Sequence, residues 1–145
     1  MERFLGAYSH YAYATMRVVL GFLFACHGAQ KLFGVLGRNS VDWFSRSGLA
    51  GAIELVGGTL IMLGLLTSYA AFLASGLMAV AYFLVHAPQG FWPIQNRGEL
   101  AVLYCFMFLY IAARGSVACG LDQLFSRNPS PAPSGEQADK QGTAG

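Results

Sequence analysis

A few side chains in this sequence can do chemistry in otherwise apolar surroundings. Glu54 precedes a run, residues 55–85, without one charged residue. A carboxylate at such a place can take up protons or anchor a ligand, and an ionisable group within a membrane is a functional candidate by default. It can equally lock two helices together by pairing with Lys31 or His27, and both readings stay open. His27 and Lys31 are four residues apart and share one face of a helix. Glu99, at the start of an apolar stretch, has a plainer explanation as a complement to a helix dipole. His27 and His86 together would suit bis-histidine haem ligation. Nothing else supports haem, and a neutral imidazole that packs or hydrogen-bonds is the preferred reading. The three cysteines, Cys26, Cys105 and Cys119, show no CxxC spacing, so neither a disulfide framework nor a metal site is expected. No phosphate loop, nucleophile elbow or zinc motif is present, and the catalytic residues are unknown.

The elements that must hold these groups are membrane helices. Of 145 residues, 55% are hydrophobic and 11% are charged, against about 25% charged in a typical soluble domain. Mean hydropathy is +0.48. This composition excludes a disordered chain, a nucleic-acid binder and most soluble enzymes. The net charge of +2 is too small to imply a polyanionic partner. Apolar stretches cover residues 11–33, 49–66, 69–86 and 100–113. About 17–25 residues span a bilayer as a helix, so the fourth stretch must extend through Glu99 or Arg114 to reach about 99–114. The expected fold is all-α, an antiparallel bundle of four transmembrane helices over residues 1–125, followed by a disordered Pro/Ser/Gly-rich tail over 126–145. The first stretch carries Arg17 and Lys31 and lacks a cleavage site, so it is not read as a signal peptide. Lys and Arg near the spans divide almost evenly between the two sides, which leaves orientation open.

In such a bundle the ends of the first and third helices meet the starts of the second and fourth. His27, Gln30, Lys31, Glu54, His86, Asn96, Arg97 and Glu99 all fall toward that side. Glu54, counted from residue 49, lies roughly 7 Å into its helix, and His27 roughly 10 Å from the end of its own. Glu54 and Glu99 can then pair with Lys31 and Arg97. The link GFWPIQN lies beside them. It reads as an interfacial anchor or as one wall of a pocket for a quinone, a lipid headgroup or a small apolar molecule. Arg17 and Asp122 belong to the opposite side, where Arg17 is expected to snorkel to headgroups or to pair with Asp122.

Over residues 16–125 the sequence resembles the DoxX family of small membrane proteins. Arg17 and Gly21 are followed by His27-Gly28 and Lys31-Leu32. Glu54-Leu55 with Gly57-Gly58 comes next, then Gly64-Leu65 and Thr67, and finally Gly115 and Gly120-Leu121-Asp122. The last motif departs from the family's Ser-Leu-Asp, because Gly120 stands at the Ser. The resemblance implies a four-helix protein of the bacterial inner membrane, with Arg17, His27, Lys31, Glu54 and Asp122 as the matching positions. Members are linked to thiosulfate:quinone oxidoreduction, to complexes handling oxidative stress and to maturation of redox enzymes. The expectation is an accessory subunit of a redox or quinone-linked process, with a redox-protein partner and no tightly bound cofactor. The alternatives are a small proton- or solute-handling transporter and a structural assembly factor. Self-association into a homo-oligomer is also in view.

Overall fold

The apolar stretches become helices because lipid offers no partner for backbone N–H and C=O groups, which must be satisfied within each segment. The computed structural model describes residues 6–37, 39–116 and 120–122. The expected tail, Cys119 and Arg38 lie outside the described residues. A short 3-10 turn, Gly6–Tyr8, leads into α1, Ser9–Phe33; α2 is Arg46–Leu63, α3 is Thr67–Ala81 and α4 is Glu99–Arg114. Helix α3 runs on through a π-helical turn, Tyr82–His86, and a 3-10 turn, Ala87–Gln89. All regular structure among the described residues is helical.

Helix α2 begins three residues earlier than its hydropathy indicates. Ser45 caps it, accepting a hydrogen bond from the Gly48 amide (3.0 Å) while its hydroxyl donates to the Asp42 carbonyl (2.6 Å). Such a cap satisfies one of the amides that a helix start leaves without a partner. Counted from Arg46, Glu54 therefore lies about 12 Å into its helix, deeper than a start at residue 49 implies.

Helices α1 and α2 touch backbone to backbone, in opposite directions. A Cβ on Gly21 would stand 2.7 Å from the Gly58 carbonyl oxygen, and one on Gly28 would collide with the Leu55 amide and the Gly51 carbonyl. Small residues are what membrane helices use for such approach, because apolar surface gains little by leaving lipid. On the other half of the molecule α3 pairs with α4. Ser75 donates to the Cys105 carbonyl (2.8 Å) near the middle of both helices. Aromatic rings join the two halves: Phe24 of α1 packs against Phe108 (4.7 Å between centroids) and Tyr104 (5.6 Å) of α4. Tyr13 donates to the Gly115 carbonyl (2.6 Å), and the Arg114 guanidinium lies 5.0 Å over its ring.

The turn between α2 and α3 is tied from two sides. Arg17 is completely buried and donates to the carbonyls of Ile61 (2.6 Å) and Met62 (3.2 Å). This corrects the expected snorkelling. The last carbonyls of a helix lack the usual amide four residues on; Ile61 also accepts from the Gly64 amide (3.2 Å), and a cation there complements the helix dipole. Asp122 accepts from the Leu66 amide (2.7 Å), the Thr67 amide (3.1 Å) and the Thr67 hydroxyl (3.0 Å). It thereby caps α3 and steadies Leu66, whose backbone is left-handed at φ +48°. Burial alone would raise the Asp122 carboxyl pKa. The hydrogen bonds from Thr67, Leu66 and Ser116 outweigh that and hold it below the usual value.

Among the described residues, three helical segments are long and apolar enough to cross a bilayer: Ser9–Phe33, Arg46–Leu63 and Thr67–Gln89. Helix α4 has 16 residues and is about 24 Å long.

Candidate functional site

The seam of glycines between α1 and α2 decides where the charged groups meet. Gly51 and Gly58 bring the two backbones together on either side of Glu54, and Gly28 lies one turn before Lys31. Lys31 Nζ stands 2.5 Å from Glu54 Oε1. The Glu54 side chain is 3% exposed, the Lys31 side chain 22%. The pair thus has a wet end and a dry end. Lys31 reaches the rim of the packed helices, and the carboxylate sits between them.

The second carboxylate oxygen, Glu54 Oε2, is buried and has no hydrogen-bond partner among the described residues. An acceptor left without a donor away from water costs about 1–3 kcal/mol, and more when charged. One turn deeper on α2, Gly57 is buried, yet no other element among the described residues comes within 4 Å of where its Cβ would be. The helix face that carries the carboxylate therefore leaves space for a small group. On α4, Tyr104 packs against Phe24 of α1 (5.6 Å between ring centroids) and meets the His27 ring edge-on. Tyr104 is 4% exposed and stacks on Phe108, so it forms a fixed wall.

Not all the expected groups join this pair. His27 is exposed and sets its ring edge-on to Tyr104, 6.3 Å between centroids. It borders the site from outside instead of lying in a buried cluster, because α1 turns Phe24, Gly28 and Leu32 inward. His86, at the end of the π-helical turn, faces the 87–98 link: its Nδ1 is 3.1 Å from the Asn96 carbonyl, and its ring stacks on Tyr82. Arg97 and Glu99 are exposed, and neither is ion-paired to Lys31, Glu54 or the other. The single cluster read from matched depths is thus two sites, separated because the Asn96 network holds the link over the end of α3. Sequence reasoning missed Tyr104 as a wall of the site and Tyr82 as a support of the link. A hydroxyl-bearing ring within an apolar span was the available signal.

A family profile, DoxX, matches residues 12–87, more than half of the chain. The chain belongs to the DoxX family. The match spans α1, α2 and α3 and so contains Lys31, Glu54 and the glycine seam. The DoxX relatives include an uncharacterized protein of Haemophilus influenzae, 42% identical over 128 residues, which covers 83% of this chain and 96% of the relative. A Bacillus subtilis protein named "Putative oxidoreductase CatD" is 29% identical over 114 residues, 74% of this chain and 81% of its own length. No solved structure matches the chain. Family membership and the three apolar helices make this an integral membrane protein in contact with the lipid bilayer.

Proposed function

We propose that this DoxX-family protein is an accessory subunit of a redox, quinone-linked process in the bacterial inner membrane, with Lys31–Glu54 as its working site. The observation that carries this reading is the half-satisfied carboxylate. Glu54 Oε1 is held by Lys31, while Oε2, buried, lacks a donor among the described residues. A ligand hydroxyl, such as that of a quinol ring, would supply the missing hydrogen bond. Lys31, part-exposed at the rim, would connect the carboxylate to protons outside. Electrons would come from a redox-protein partner, because the site residues themselves are not redox groups. Helix α4, with Glu99 and Arg114 at its two ends, completes a four-span antiparallel bundle in this reading, somewhat thin for the bilayer. The oxidoreductase name of the Bacillus subtilis relative supports this class of process.

The test is quinone content. Protein purified in mild detergent is extracted, and quinone is quantified by its redox difference absorption. Wild type is expected to retain quinone, and Glu54→Gln and Lys31→Ala to lose most of it. Wild-type protein free of quinone would overturn the reading. Proton flux in liposomes that depends on Glu54 would favour the transporter. Unchanged host redox activity in both variants would leave the pair a helix lock.

A further inference from the structure

The 87–98 link presents a second polar surface, separate from the Lys31–Glu54 pair. Its spine is Asn96, 2% exposed. Asn96 Nδ2 donates to the Gly90 carbonyl (2.6 Å), and Oδ1 accepts from the Gly98 amide (2.8 Å). The Tyr82 hydroxyl donates to the Phe91 carbonyl. Between these fixed points Arg97 adopts φ +60°, a left-handed backbone that a long side chain rarely takes. The buried network thus holds a strained residue in place, and that residue is an exposed arginine.

Arg97 and Glu99 both project onto an open groove of about 720 Å³. Neither side chain has a hydrogen bond or ion pair with the described residues. Its remaining walls are apolar, with Pro93 and Ile94 from the link and Leu100 and Leu103 from α4. Trp92 is exposed on the same link, and such residues mark the level of lipid headgroups. A cation and an anion two residues apart, unpaired at the headgroup level above an aliphatic floor, complement an amphiphile that carries both charges.

We propose that this groove binds a phospholipid with a phosphate and a primary ammonium, the phosphatidylethanolamine class. The phosphate takes the Arg97 guanidinium, which can donate two parallel hydrogen bonds. The ammonium donates to Glu99, and an acyl chain follows Leu100 and Leu103. Glu99 selects the headgroup. It repels the net charge of an anionic lipid, and a choline headgroup has no N–H to offer it.

The test is lipid retention by native mass spectrometry of the full chain, with phosphatidylethanolamine, phosphatidylcholine and phosphatidylglycerol of equal acyl length. Wild type should retain the ethanolamine lipid about 2–5-fold over the other two, the discrimination that one exposed ion pair supplies. Glu99→Gln should bring ethanolamine down to the choline level. Arg97→Gly should lower retention of all three. Glycine relieves the left-handed strain, so that loss cannot be ascribed to a damaged fold. Equal retention of the three lipids by wild type, or preferences unchanged in both variants, would overturn the proposal and leave annular lipid only.

Discussion

Removing Lys31 alone should harm the protein more than removing Lys31 and Glu54 together. Lys31→Met deletes the ammonium 2.5 Å from Glu54 Oε1 and leaves a carboxylate, 3% exposed, with no partner at either oxygen among the described residues. Breaking a buried ion pair from one side typically costs about 3–5 kcal/mol. Lys31 keeps some contact with solvent, which screens the interaction, so a loss of about 2–3 kcal/mol is expected here. For a chain of this size that corresponds to a fall in Tm of the order of 5–10 °C. Replacing both partners by Met removes the charges and their desolvation together, a change that is often neutral or stabilising. The double variant should therefore melt at least about 5 °C above Lys31→Met, a coupling of more than about 1 kcal/mol. The assay is thermal unfolding of the four proteins of this cycle in one detergent, followed by near-ultraviolet circular dichroism. Additive effects, or a Lys31→Met protein as stable as wild type, would refute the claim that Glu54 is buried and held by Lys31.

Other perturbations test the framework around the pair. Gly28→Ala drives a Cβ into the Leu55 amide and the Gly51 carbonyl and should cost more than about 2 kcal/mol in a detergent melt. Gly76→Ala, where nothing lies within 4 Å, should be neutral or stabilising by up to about 1 kcal/mol. Arg17→Met leaves the end of α2 without its buried donor to Ile61 and Met62 and should cost about 2–3 kcal/mol by the same measurement. Asp122 titrates below the usual carboxylate value in the folded state. Its contribution should be complete above about pH 4 and fade as pH falls through the lower folded value. An acid-limb melting series should show that loss in wild type and less of it in Asp122→Asn.

Hydropathy made the helices legible, and depth along them brought Lys31 to Glu54. Both follow from one-dimensional arithmetic, because a span has a fixed length and a carboxylate in lipid needs a partner at its own level. What arithmetic along the axis lacks is rotation about it. His27 and Lys31 share a face, yet that face is broad enough for Lys31 to reach α2 while His27 lies exposed against Tyr104. The fate of Arg17 was hidden for a related reason. Snorkelling considers one helix in lipid, whereas the carbonyls of Ile61 and Met62 that bind its guanidinium belong to another helix. Gly64, an αL stop at the end of α2, was the clue that these carbonyls lay at the level of Arg17.

The separation of the polar groups into two sites carries its own functional consequence. Lys31–Glu54 sits between helices that touch backbone to backbone, so its geometry is fixed to within a side-chain rotamer. Arg97 and Glu99 sit where α4 begins, and the Asn96 network holds them at the surface. Asn96 also binds His86 through its carbonyl, which ties the link to the end of α3. Replacing Asn96 by Ala should loosen the link, free Arg97 from its left-handed backbone and leave the glycine seam untouched. Amide hydrogen exchange would then rise over residues 87–98 and stay level over residues 21–31 and 51–58. Faster exchange in both regions would mean that the link and the glycine seam are coupled, and that the two sites do not act separately.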